Sequence, residues 1–115
     1  MTSDHYHHVA GDIEATTALA IGTALANVPH SKLEISSEVA FAGDNFDFAI
    51  YPSRRGPQVT KEFLVGGNIW LPLAEARALL ARMCAALHEC GIAYALELEV
   101  DQTTHETELM TNAPR

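Results

Sequence analysis

From Ile92 to Asp101 apolar and polar residues alternate without a break. Ile92, Tyr94, Leu96, Leu98 and Val100 fall on one side of an extended chain, and Ala93, Ala95, Glu97, Glu99 and Asp101 fall on the other. Successive side chains of a strand point to opposite faces, so this segment reads as a strand with one face to bury and one face suited to water. Such a strand buries nothing by itself. It requires neighbours in a sheet and a cover on its apolar side.

The rest of the chain supplies both. Leu33, Ile35, Val39 and Phe41 alternate with Glu34, Ser36 and Glu38, which predicts one half-buried strand from Lys32 to Phe41. Phe46, Phe48 and Ile50 alternate with Asp47, Ala49 and Tyr51 in a second, and the Gly43-Asp44 turn joins the two as a hairpin. Phe63, Val65, Ile69 and Trp70 mark a third strand within Lys61 to Leu71, interrupted near Gly66-Gly67. The period then changes. Leu73, Ala76, Leu79, Leu80, Met83, Ala86 and Leu87 recur every three or four residues, predicting an amphipathic helix from Pro72 to Glu89 that Gly91 closes.

The N-terminal third has two readings. In the favoured one, His5 to Gly11 is a short strand, Gly11-Asp12 forms a turn and N-cap, and a helix spans Asp12 to Val28 with Ile13, Thr17, Ile21 and Leu25 four apart. In the other, one helix runs through from Ser3 or Asp4. Apolar content falls after Asp101, so residues 102–115 are expected to be a frayed tail. The expected fold is α+β: an antiparallel sheet of four to five strands with two helices packed on one face. It forms a single domain over residues 1–115 with its core at about 5–101.

Of the 115 residues 48% are hydrophobic and 19% charged, enough apolar material for a core at this length. Fifteen acidic residues against seven basic ones give a net charge of -8, which disfavours direct contact with nucleic acid or an anionic membrane and attracts a basic protein surface. The N-terminus lacks the basic and apolar regions of a signal peptide. The longest apolar stretch, Ala15 to Val28, is interrupted by polar residues and shorter than the ~20 residues of a membrane span. Two cysteines, Cys84 and Cys90, make no disulfide framework, and a cytoplasmic location with reduced thiols is expected.

The candidate site residues are chiefly acidic. Glu97, Glu99 and Asp101 form a same-face ladder on one strand, Glu34 and Glu38 lie together on another, and Asp44 and Asp47 flank a hairpin turn. Carboxylates that alternate with core residues point to water and titrate normally, so they suit docking better than acid–base chemistry. Trp70, with Tyr51 and Tyr6, offers aromatic anchors for such docking. Arg54 and Arg55 form the basic cluster that can clamp an anion. His5, His7 and His8 are weak candidates for metal ligands: His5 and His7 share a face on a strand, His5 and His8 on a helix. Cys84 and His88 share a helix face, a spacing open to a nucleophile pair, although Cys84 lies beside the apolar stripe. Phosphate-loop, nucleophile-elbow and zinc-protease spacings are absent.

The expected function is that of a small, acidic, non-catalytic binding protein of the inhibitor, immunity or antitoxin-like, chaperone or adaptor kind. It needs no cofactor and docks a protein partner with a basic surface, one that itself binds nucleic acid among the options. The alternatives are a small enzyme or ligand-binding domain holding an anion on Arg54 and Arg55, and metal binding through the N-terminal histidines. An apolar excess in a small sheet domain also permits a homodimer.

Overall fold

The computed structural model describes residues 6–53 and 62–112. Every alternating segment enters one antiparallel sheet of seven strands. Their chain order is β1 (His7–Glu14), helix α1 (Ala18–Leu25), β2 (Lys32–Ile35), β3 (Val39–Gly43), β4 (Phe46–Pro52), β5 (Glu62–Ile69), helix α2 (Leu73–Glu89), β6 (Ala93–Asp101) and β7 (Glu106–Thr111). Across the sheet the order is β2-β3-β4-β5-β1-β6-β7. The first strand is thus inserted between β5 and β6, pairing with both.

The seven strands are two more than the upper end of the expected four to five. The segment Lys32 to Phe41 is folded back on itself: Ser36, Ser37 and Glu38 form a turn, closed by the Ser36 N–H donating to the Glu38 carbonyl at 2.8 Å. Ile35 and Val39 become cross-strand partners. Within the segment expected to be a frayed tail, residues 102–115, Glu106–Thr111 is β7, paired with β6 from Ala95 to Asp101, and residues 113–115 lie outside the described residues. The polar composition of β7 reflects an edge position rather than disorder. The Arg77 Nε of α2 donates to Glu108 Oε1 at 2.9 Å, and Met110 packs against the core.

The N-terminal boundary also moves. β1 continues through Gly11 and Asp12 to Glu14, and α1 is capped by Thr17, whose hydroxyl accepts from the Ala20 N–H at 3.1 Å. Gly11 is therefore a strand residue, not a turn. Its φ is +155°, and a Cβ there would lie 2.2 Å from the Ala95 carbonyl oxygen of β6. Glycine lets two backbones close at the centre of the sheet. Gly66 and Gly67 do not interrupt β5, which stays in register with β4 and β1 throughout.

Both helices cover one face. Val9, Ile13, Phe41, Phe48, Ile50, Leu96 and Leu98 point into that layer and are almost wholly buried, together with Ile21, Leu25, Leu80, Met83 and Leu87 from the helices. The rings of Phe41, Phe46 and Phe48 meet with centroids 5.1–6.4 Å apart. Burying a side chain of this size contributes roughly 2 kcal/mol. Among the described residues no element covers the opposite sheet face. Among the described residues no helix is long and apolar enough to cross a membrane.

Candidate functional surface

The strand registers specify which residues share the uncovered face. One row runs through partner positions from edge to edge: Glu34, Ala40, Ala49, Gly66, Ala10, Glu97 and Leu109. Four consecutive residues of it, Ala40, Ala49, Gly66 and Ala10, are alanine or glycine, and above Gly66 nothing lies within 4 Å of where a Cβ would be. Those four strands span about 15 Å at ordinary strand spacing. To one side lies the row Tyr51, Leu64, Asp12, Ala95 and Thr111; to the other, Lys32, Ala42, Asp47, Asn68 and His8. The face is a floor of small side chains with larger apolar ones, Tyr51 and Leu109, exposed towards its margins.

Carboxylates surround this floor. Glu34, Asp47, Glu97 and Glu99, four of the residues singled out from sequence, all fall on it. Asp12, Glu14 and Glu62 join them. Glu14 and Glu62 are direct cross-strand partners, and Asp12 neighbours both. Burial, then the charges of Glu62 and Glu14, push the Asp12 carboxyl above its ordinary range. Against these seven acids the described part of the face sets the ammonium of Lys32.

Trp70 sits at one end of the same face and is 47% exposed, so it is not the core residue its place beside α2 would suggest. Its ring leans on Tyr6, with centroids 6.0 Å apart. The Tyr6 hydroxyl donates to Asn68 Oδ1 at 2.6 Å, which holds the aromatic pair against β5.

Other candidates separate. Glu38 belongs to the β2–β3 turn and Asp44 to the β3–β4 turn. Asp101 leaves the ladder of Glu97 and Glu99 because a bulge follows Glu99. It turns back to accept the Thr103 and Thr104 N–H groups at 2.8 and 3.3 Å, and those bonds, the Thr103 one first, hold its carboxyl below the usual range. Glu99 meets an imidazole, His105 Nδ1 at 3.2 Å, at an exposed turn and not in a cavity. His7 and His8 point to opposite faces. His7 is buried on the helix side of the sheet, its Nδ1 donating to the Glu99 carbonyl at 2.8 Å, while among the described residues Nε2 has no partner. His8 lies on the open face. His5, Arg54 and Arg55 lie outside the described residues. Among those described, no three His, Cys, Asp or Glu side chains converge as metal ligands do.

Cys84 and His88 do not act together. Cys84 is buried, and desolvation pushes its thiol up to about 11, the hydrogen bond with Tyr94 opposing only in part. A thiol so held is protonated at neutral pH and is no nucleophile. His88 is exposed, its Nδ1 accepting from Asn112 Nδ2 at 3.0 Å.

The sequence does not gather the acids Asp12, Glu14 and Glu62, because its spacing predicts a helix from Asp12 onward. Only the pairing of β1 with β5 brings the three together. The chain matches no protein-family model, no curated protein and no solved structure.

Proposed function

We propose that the protein is a non-catalytic binding protein that docks a basic protein surface on its uncovered sheet face. The observation that carries this reading is the concentration of carboxylates around a floor of small residues, with Glu14 directly opposite Glu62. Like charges facing each other across a strand pair are destabilising. A partner that brings lysines or arginines to that margin removes the repulsion while its apolar centre covers the alanines and Gly66. Trp70, Tyr51 and Leu109 supply anchors, and the field of the face steers the encounter. A second copy of the chain does not suit this face, because two such margins would repel. An inhibitor or adaptor of a nucleic-acid-binding protein fits the same description, the carboxylates standing where phosphates would.

The test begins with a partner captured by the tagged protein from lysate, identified and purified. Its affinity for wild type is then compared with that for Glu14→Lys and Glu97→Lys across a salt series. The expected result is a loss of about tenfold per reversal at low salt, converging as salt rises. Affinity indifferent to both reversals and to salt, or protection from hydrogen exchange on α1 and α2 instead of β1, β5 and β6, removes the reading.

A further inference from the structure

The two edges of the sheet are not alike. An open edge offers a row of backbone N–H and C=O groups to any extended chain, and brevity, lysine or proline commonly blunts it. β2 is blunted: it has four residues and begins at Lys32. β7 has six residues and carries no lysine, proline or glycine. The charge of its Glu108 is offset by Arg77, which donates from Nε at 2.9 Å. Among the described residues no strand lies beyond β7.

Parity decides which backbone groups face outward. The Asn112 N–H donates to the Tyr94 carbonyl at 3.3 Å, so Met110 and Glu108, two and four residues back, also direct their backbone groups at β6. The N–H and C=O of Thr107 and Leu109 therefore point away from it. The Leu109 side chain lies opposite Glu97 on the uncovered face and is 50% exposed.

This edge is complementary to itself. Consider two copies of β7 paired antiparallel about a two-fold axis through Leu109. Leu109 then faces the partner's Leu109, and the two exchange a pair of backbone hydrogen bonds. Thr107 faces the partner's Thr111, and Glu108 faces the partner's Met110. Residues 106–112 all pair, and no carboxylate meets another. An axis at Glu108 or Thr107 would set Glu108 opposite a second Glu108 or a Glu106, and like charges so placed repel. An axis at Met110 would shorten the paired run to residues 108–112. The Glu97 side chains of the two copies stand three strand spacings apart, about 14 Å, beyond the screening length of about 10 Å at 0.1 M salt.

We propose that the protein forms a weak two-fold dimer in which β7 pairs with β7 of a second copy. The two sheets join edge to edge, with Leu109 on the axis, and the uncovered face continues across both copies.

The test is sedimentation equilibrium of the full chain from about 1 μM to 1 mM at about 0.15 M salt, with amide exchange measured at both ends of that range. The mass should rise from one chain towards two and stop there, while exchange of the Leu109 amide slows about tenfold. Lower salt should weaken the dimer, whereas it strengthens carboxylate docking to a basic partner. Leu109→Pro removes an outward N–H and no bond to β6, so the chain should fold while association weakens about tenfold or more. Leu109→Lys sets two ammoniums opposite each other across the axis but faces Glu97 within its own chain. It should be monomeric and, in dilute solution, melt no lower than wild type, which keeps the test decisive if the proline variant does not fold. A wild-type chain that stays monomeric at about 1 mM, a mass that grows beyond two chains as a head-to-tail β7–β2 pairing would make it, or a dimer that Leu109→Lys leaves intact overturns the proposal.

Discussion

Gly11 and Gly66 occupy neighbouring strands and should answer substitution in opposite ways. Gly11 combines a positive φ with a backbone carbonyl 2.2 Å from where a Cβ would stand. Neither can relax without opening the β1–β6 pairing. Gly11→Ala should lower stability by about 3 kcal/mol, read from the urea midpoint. Gly66→Ala meets open space and exchanges a strand glycine for a residue with less freedom to lose, so a gain of about 0.5 kcal/mol is expected. Cys84 gives a pH-dependent counterpart. Its native value of about 11 lies above the ordinary 9.0, so the folded state holds the proton more tightly than the unfolded chain does. The associated stability is whole below pH 9 and is lost as pH rises through about 11. Cys84→Ala should cost about 1–2 kcal/mol at neutral pH through the cavity it leaves, and should flatten the alkaline fall of the denaturation midpoint. The burial of Cys84 was legible, because it sits in the apolar stripe of α2. That of His7 was not: His7 and His8 look alike until the pairing of β1 turns His7 inward and His8 outward.

At the scale of elements, the sequence showed faces better than it showed ends. Leu33, Ile35, Val39 and Phe41 do share the buried face, as their alternation predicts. Yet a strand that folds back through three residues keeps the same parity, so periodicity cannot distinguish one long strand from this hairpin. No glycine or proline marks the Ser36–Glu38 turn. The four-residue spacing of Ile13, Thr17, Ile21 and Leu25 crosses the boundary between β1 and α1; the Thr17 cap, not the spacing, starts the helix. β7 was invisible because an edge strand buries little. What secures it is partly polar. Asn112 accepts the Tyr94 N–H at 2.9 Å and donates to the Ile92 carbonyl at 3.1 Å, joining the end of β7 to the start of β6. Asn112→Ala leaves those backbone groups without partners and should lower stability by about 1–2 kcal/mol, with faster amide exchange confined to β7 and the start of β6.

Over the whole molecule, the net charge of -8 is legible at once, but its placement is a property of topology. Inserting β1 between β5 and β6 puts Asp12 and Glu14 beside Glu62 and Glu97 on the uncovered face. The helices take the apolar side, and among the described residues Lys32 is the ammonium that shares the face with the acids. This arrangement costs the free protein stability, and the direction follows from Asp12. Its carboxyl is raised by burial and by Glu62 and Glu14, so the native state is favoured at low pH and loses that advantage as the group ionises. Asp12→Asn should therefore stabilise the protein by a few tenths of a kcal/mol at pH 7, and the gain should vanish below the ordinary aspartate value of 3.8. Glu62→Lys carries the same logic further by placing a cation opposite Glu14. It should raise the neutral-pH stability by about 0.5 kcal/mol at low salt, with the gain shrinking as salt screens the pair. If the acids serve a basic partner, that substitution should weaken docking about tenfold while it strengthens the fold. Thermal melting and partner affinity measured on the same variant separate the two roles. A Glu62→Lys protein that is less stable and still binds fully would mean that the acids of this margin serve the sheet and not a partner.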